Sequence, residues 1–494
     1  MQTQAAPAAE ERTLRRSLST PRIVFLVIAA AAPLAALVGT VPLAFAIGDG
    51  PGFPAVFVFA GITLLCFSVG YAAMSRRIVN VGGFYTYISS GLGKPVAVAG
   101  GLIAVIAYPA VSIGLVGAFG YFAQLLASSH GLNLPWEVWA GAGIGVMAVL
   151  GYRQIDLSAR VLSILMVAEI GILTVFGLGV VAHKGASAFP TASFNPHIVL
   201  GSGVGLSMMF AFISYIGFES AALYGEETHD PRRSVPIATY SAVIIISLFY
   251  ALISWLAVGA VGPGKVQAVA GKQLGNLFFL LSNQNLNSFA TTVMQVFLCT
   301  SLFAAMVALH NAGNRYLFAL GRERVLPGWF SGVHRRHASP HLASVAQTAV
   351  TVVLVSVFAV VGLNPYTNLA TTMLGLGTLG IIVLQAAAAA SVVPFFWNKP
   401  DRHWWRTITA PVLSLAGLIT AVVLLLRNFA VLTGTTNPVV TALPWLLLAA
   451  AAGGIGYALW MRSAVPARYA GLARASLRDI PETPVPLAAE TRRA

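Results

Sequence analysis

A polytopic, all-α membrane protein is the fold class predicted here, and three observations predict it. Hydrophobic residues make up 57% of the 494-residue chain and charged residues only 9%, with a mean hydropathy of +0.81. A soluble domain carries about 25% charged residues, so this chain cannot cover a water-facing surface with polar groups. Apolar runs of membrane-crossing length recur throughout, while the short alternating segments of an outer-membrane barrel are absent. A soluble enzyme is excluded on these grounds. The third observation is where the charges lie.

Twelve apolar spans are expected, at about 23–47, 54–74, 96–126, 136–152, 158–182, 199–225, 234–261, 286–318, 342–362, 367–395, 406–427 and 441–461. With the N-terminus in the cytoplasm, all but four of the 29 Lys and Arg fall on the inner side. The four are Lys184, Lys265, Lys272 and Arg427. That is the positive-inside pattern of an even number of spans with both termini cytoplasmic. The net charge of +14 is therefore a matter of topology and calls for no nucleic-acid partner. Residues 1–22 read as a cytoplasmic tail before an uncleaved first helix, because the apolar run exceeds the ~7–15 residues of a signal-peptide core. Residues 462–494, with Arg462, Arg468, Arg474, Arg478 and several prolines, read as a mostly disordered cytoplasmic tail.

Two spans carry interruptions. The first holds Pro33, Gly39, Pro42 and Gly48; the sixth holds Gly217, Glu219 and Gly225 in FAFISYIGFESAALYGEE. Gly costs about 1 kcal/mol relative to Ala inside a helix, and Pro removes a backbone hydrogen bond. Freed backbone groups in hydrocarbon need partners, so a break survives only beside protein or a water-filled cavity. The two breaks lie five spans apart. That odd offset gives the halves containing them opposite orientations, and paired interruptions in inverted halves point to a transporter site at the midplane. Two ordinary kinked helices are the competing reading.

The second half of the first helix is expected to start near Thr40-Val41-Pro42, with Thr40 as its N-cap. Its N–H groups would face an anion such as a carboxylate. The first half of the sixth helix is expected to end near Tyr215–Gly217, leaving carbonyls that suit an ammonium. Such a pair of ends fits a zwitterion, and an amino acid is the simplest one. The candidate substrate-binding residues are Val38, Gly39, Thr40 and Val41 at one break. At the other they are Ser214, Tyr215, Ile216, Gly217, Phe218 and Glu219. Tyr108, beside Pro109 in the third span, and Ser301 in the eighth are further candidates.

An acid at the bilayer centre costs about 2.5–3.5 kcal/mol on the insertion scale, which makes each one a functional candidate. Glu219 follows the sixth-helix break and could accept a substrate amine, or it could hold unwound backbone. Glu169 lies mid-span in the fifth helix. It could carry a proton, or stay protonated and bonded to a neighbouring helix. Glu226, Glu227, Arg232 and Arg233 flank the cytoplasmic mouth, as a gate latch or as a solvated charged loop.

Other patterns are set aside. Gly375 to Gly380 match G-x-G-x-x-G but lie in an apolar span with no preceding strand, so close helix packing explains them better than a nucleotide. His334, His337 and His341 share a loop with Arg335 and Arg336 and lack an acidic ligand, which argues against a metal. His310 and Asn311 read as a packing or gating pair. Trp255, Trp445 and Trp460 read as interfacial anchors. Cys66 and Cys299 form no disulfide or metal pattern. No cofactor is called for.

Several segments resemble one family. GFESAALYGEETHDPRRSVPIA (217–238) resembles the sixth helix and following loop of the amino acid/polyamine/organocation (APC) permeases. NRYLFALGRERVLPGWF (314–330) is similar to the end of their eighth helix, and RRIVNVGGFYTYISSGLGKP (76–95) to the loop after their second. The resemblance covers about 20–460. It implies the five-plus-five inverted-repeat (APC) fold, with repeats at about 23–182 and 199–395 and two extra helices over 406–461. It also implies secondary transport of amino acids or related amines. Two departures stand out. Val38-Gly39-Thr40-Val41-Pro42 replaces the G-S-G run of many members, and Glu169 stands where some carry a Lys.

The expected function is thus secondary active transport of an amino acid or related amine across the plasma membrane. Proton coupling is expected, through Glu169 with Glu219 as the second candidate. A polyamine importer or an exchanger of the same fold is the nearest alternative. A passive channel or an intramembrane enzyme would belong to another class, and no nucleophile–base pair or metal cluster supports the latter. The expected partners are the substrate, the lipid bilayer and H+. The charge pattern makes one expectation concrete. A cysteine at position 272 should react with an impermeant thiol reagent added outside intact cells, and one at 402 should not; outside labelling at 402 would reverse the topology.

Overall fold

The computed structural model describes residues 19–78, 83–153, 159–220, 228, 230–334, 336–337, 339–435 and 437–473. Glu226, Glu227, Arg335, Arg474 and Arg478, named above, lie outside the described residues, as does the tail 1–18.

Among the described residues the membrane-crossing segments are helical, apart from short interruptions. The first helices are α1 (Thr20–Ala30), α2 (Pro33–Ile47), α3 (Phe53–Ser75), α4 (Gly83–Leu92), α5 (Lys94–Ser129), α6 (Trp136–Arg153) and α7 (Ala159–Lys184). There follow α8 (Pro196–Val199), α9 (Val204–Ser214), α10 (Pro231–Val261), α11 (Val266–Gln273), α12 (Leu277–Asn285) and α13 (Ser288–Arg322). The last are α14 (His341–Val360), α15 (Thr371–Phe396), α16 (Ala410–Thr433), α17 (Pro438–Thr441), α18 (Leu443–Ala464) and α19 (Pro466–Gly471).

Ten segments among the described residues are long and apolar enough to cross a membrane. The remaining two of the twelve expected fall short for visible reasons. Helix α6 is 18 residues long, with Glu137 in its first turn and Arg153 in its last. The sixth span is a shorter apolar helical segment, Val204–Ser220, within which α9 stops at Ser214.

Helix α5 is the hub, packing against α13, α15 and α18. Small residues allow the approach. A Cβ at Gly377 of α15 would sit 2.7 Å from the Ala107 carbonyl oxygen of α5, so close helix packing accounts for the G-x-G-x-x-G run. Outside this core, large apolar side chains point outward, with Val360 at 88% exposure; in lipid such a surface is the solvated one. Trp445 and Trp460 are exposed near the two ends of α18, as interfacial anchors would be. Trp255 is instead turned inward. Its Nε1 donates to the Pro190 carbonyl at 2.9 Å, and the rings of Phe189 and Phe194 pack edge-on against it at 5.0 Å. Its indole N–H, which would otherwise seek the headgroup layer, anchors the 185–199 connection.

On the side expected to be cytoplasmic, the chain doubles back onto the bundle. Lys94 Nζ donates to the carbonyls of Tyr469 and Ala470, both at 2.9 Å, where a cation suits the C-terminal end of α19. The Glu323 carboxylate accepts from the Ala473 N–H at 3.0 Å and from the Tyr85 hydroxyl. Leu472 and Ala473 are almost fully buried. Residues 462–473 are therefore ordered, helical up to Gly471 and docked through Leu472 and Ala473, in contrast to the disorder expected from composition over 462–494.

At the opposite end, Asp49 follows α2. Its N–H donates to Ser207 Oγ at 2.8 Å. Its carboxylate is hydrogen-bonded by Ser207 and by the Gly203 backbone, at the start of α9. A carboxylate there meets the positive end of the helix and ties α2 to α9. Its Oδ2 has no hydrogen-bond partner. Burial pushes the Asp49 carboxyl up to about 6, with the two bonds opposing. A carboxyl raised in the folded state stabilises fully below its ordinary 3.8, and that contribution is lost as pH rises through about 6. The melting temperature of detergent-purified protein should fall across that interval, and Asp49→Asn should flatten the fall. An unchanged pH slope in the variant would contradict this role.

Candidate functional site

The first-helix break does not lie at Thr40-Val41-Pro42. Helix α1 ends at Ala30, Ala32 is left-handed (φ 46°, ψ 70°), and α2 opens with Pro33. Both prolines disturb a helix, but in different ways. Pro33 takes the first helical position, where no N–H is needed and the preceding residue is pushed out of the α region. Pro42 is accommodated inside α2, two turns further on. Val38, Gly39, Thr40 and Val41 are therefore continuous helix. Val38 and Val41 are fully buried. Gly39 and Thr40 border a small cavity of about 20 Å³ beside Phe210 and Tyr366, about enough for one water. The Tyr366 hydroxyl donates to the Gly39 carbonyl at 2.8 Å.

In the sixth span, α9 ends at Ser214, residues 215–217 form a turn, and 218–220 form a short 3₁₀ segment. Ser214 Oγ bonds back to the Phe210 carbonyl at 2.9 Å. The Tyr215 hydroxyl donates to the Phe57 carbonyl and to Ser247 Oγ, both at 2.8 Å. Ile216 is buried, and the Phe218 ring stands edge-on to Phe67 at 6.0 Å. Gly217 has φ 110°, a conformation L side chains rarely adopt. A Cβ there would lie 2.5 Å from the Ala30 carbonyl oxygen. The two breaks thus touch, backbone against backbone.

Each break is held by a buried carboxylate. Glu169 Oε2, reaching from α7, accepts the Leu34 N–H at 3.2 Å and the Ser301 hydroxyl of α13 at 2.9 Å. Leu34 is in the first turn of α2, so the carboxylate meets the positive end of that half-helix. The Tyr250 hydroxyl donates to the Ala31 carbonyl at 3.2 Å, satisfying a group that the break frees. Glu219 Oε2 accepts the Gly217 N–H at 3.0 Å. The Tyr108 hydroxyl also hydrogen-bonds the Glu219 carboxyl, and the Tyr71 hydroxyl donates to the Glu219 carbonyl at 3.2 Å. Tyr108 stacks on Tyr316, ring centroids 5.2 Å apart. The buried charged side chains among the described residues are Asp49, Glu169 and Glu219; no Lys or Arg is among them.

Glu169 and Ser301 therefore come together at one break, and Glu219, Gly217 and Tyr108 at the other. Val38 to Val41 do not join them. Sequence reasoning missed Tyr71, Tyr250 and Tyr316. Their available signal was a phenol within an apolar run, whose hydroxyl needs a partner in hydrocarbon. His310 is fully buried and joins α13 to α14, its ring nitrogens 3.0 Å from Ser344 Oγ and Gln347 Nε2. It belongs to packing between helices away from the breaks.

Comparison with known proteins agrees with this architecture. The family described as amino acid permease matches residues 18–455. The branched-chain amino acid permease BcaP of Bacillus subtilis (strain 168) is 25% identical over 463 residues, covering 90% of this chain and 93% of its own. The low-affinity putrescine importer PlaP of Escherichia coli (strain K12) is 24% identical over 428 residues, 82% of this chain and 86% of its own. A methylthioribose transporter of Bacillus subtilis is 26% identical over 314 residues, 60% and 65% of the two chains. The chain belongs to the amino acid permease family, within the APC superfamily; it is a multi-pass membrane permease and not an enzyme.

The contact between the breaks separates two glycines that look alike in sequence. Gly217→Ala places a Cβ against fixed backbone at a positive φ and should destabilise by about 1–3 kcal/mol. Gly39→Ala meets nothing within 4 Å and should leave the melting temperature within about 1 °C of the parent, since its α-helical position favours Ala by up to ~1 kcal/mol. Equal loss in both variants would show that the breaks do not pack as described.

Proposed function

We propose that this permease is a secondary active transporter that carries an amino acid or a related amine across the plasma membrane, by alternating access around the two helix breaks. The observation that carries the reading is the pair of buried carboxylates, one on each break, with no buried Lys or Arg to neutralise them. Two such acids attract protons or a substrate ammonium, since an isolated carboxylate in a low-dielectric interior is costly. Candidate substrate contacts are Gly217, Glu219 and Tyr108 at the sixth-span break and Ser301 near the first. BcaP and PlaP bear names for a branched-chain amino acid and a diamine, which brackets the substrate class without choosing within it.

What Glu169 holds supports proton coupling. As a carboxylate it accepts both the α2 N–H and the Ser301 hydroxyl. Protonation would weaken its grip on the positive end of α2, so proton loading and the shape of the break are linked, and linkage extends to any substrate that contacts the break. Glu219 is the second proton candidate. A specific observation also favours an amine without a carboxylate. The α2 terminus, where a substrate carboxylate would be received, is already occupied by Glu169, and Pro33 offers no N–H. An amino acid substrate requires Glu169 to give way; a diamine does not.

Radiolabelled uptake into proteoliposomes tests both levels. Saturable uptake of an amino acid or amine supports the transporter, and non-saturating flux would identify a channel. Glu169→Gln keeps an acceptor oxygen and removes the titratable group. It should preserve substrate exchange while abolishing the accumulation driven by an inside-alkaline pH gradient. Accumulation at the parent level would mean that Glu169 is structural only.

A further inference from the structure

Away from the breaks, a groove of about 590 Å³ runs between α6 and α14, closed at one end by the loop that precedes α14. Its side walls are aliphatic. Val149 and Val345 line it, and both are about half exposed, facing the surroundings of the bundle. Its loop end is polar and basic. Tyr152, Arg153 and His337 line it there. Arg336 adjoins His337 in sequence and, with His337 and His341, forms the charged surroundings of His334. No Asp or Glu is among the described residues that line the groove. Thr348, part of the wall, has a buried hydroxyl with no hydrogen-bond partner. That oxygen is enclosed and takes no part in what the groove can hold.

This combination selects its occupant. Aliphatic walls that open sideways between two membrane helices match an acyl chain. A basic end without a carboxylate matches a headgroup that carries net negative charge. A free inorganic anion would gain nothing from the walls, and a zwitterionic headgroup would bring a cation to an already positive rim. The positive-inside pattern places this end at the inner leaflet, where basic recesses between helices suit anionic headgroups. We propose that the groove between α6 and α14 binds an anionic phospholipid, with its phosphate held by Arg153 and His337 and one chain lying along Val149 and Val345.

Native mass spectrometry and thermal melts of the full-length, detergent-purified protein test the proposal. The probes are phosphatidylglycerol, phosphatidylcholine and inorganic phosphate. Phosphatidylglycerol should remain bound and raise the melting temperature; phosphatidylcholine and inorganic phosphate should do neither. Replacing Arg153 and Arg336 together by Ala should weaken phosphatidylglycerol binding about thirtyfold, near fivefold for each. Val345→Trp keeps the charges and fills the groove, and it should also abolish retention. Position 345 is half exposed, so the folded state is spared, and an unshifted melting temperature without lipid checks this. Equal retention of phosphatidylcholine, the full stabilisation from phosphate alone, or unchanged binding in both variants would overturn the proposal.

Discussion

In hydrocarbon, a peptide group released from a helix has no water to turn to. The structure around the two breaks is a set of answers to that single constraint. The Leu34 N–H goes to Glu169, the Ala31 carbonyl to Tyr250, and the Gly217 N–H to Glu219. Each answer comes from a side chain that would be costly at this depth on its own. The breaks and the polar residues are therefore mutually dependent: neither would persist in lipid without the other. It follows that the residues most suited to bind a substrate are also those that keep the fold intact. Substitutions here will tend to change stability and activity together, and only conservative changes separate the two.

Much of this was legible in the sequence. Composition and charge placement are enough for a helical membrane bundle, because both reflect transfer energies that act residue by residue. Glu169 and Glu219 stood out for the same reason: an acid in an apolar run carries its own cost. The position of the first break was not legible. Pro33 and Pro42 lie in one span, and propensity alone cannot say which of them opens a helix and which is tolerated within one. The difference lies in partners from distant helices, Glu169 of α7 and Tyr250 of α10. Choosing Pro42 placed the expected break about two turns too far along. Gly39 is helical with open space beside it, whereas Gly217 is pressed against Ala30. Glycine serves both situations, so its identity does not distinguish them.

The tail and the tryptophans teach the complementary lesson. The composition of 462–494 reads as disorder, yet Leu472 and Ala473 are buried because Lys94 and Glu323 supply a docking place that no local window contains. Trp255 has the residue type of an interfacial anchor, but the Pro190 carbonyl is near enough to claim its N–H. In each instance a general tendency, correct on average, yields to one specific hydrogen bond. The two ends of the bundle are both fastened this way, through Asp49 at one and Glu323 at the other.

The contact between the two breaks has a genetic consequence. The atom that faces Gly217 is the carbonyl oxygen of Ala30, which every residue at position 30 would present alike. A side chain introduced at 217 cannot be relieved by shrinking its neighbour, because the neighbour's side chain is not what obstructs it. Suppressors of a Gly217 defect should therefore be scarce at position 30 itself. They should instead arise where the backbone of the break can be re-aimed, around Ala32 and Pro33. Across related permeases, position 217 should accordingly look fixed without varying in concert with any partner, a pattern that pairwise covariation cannot detect.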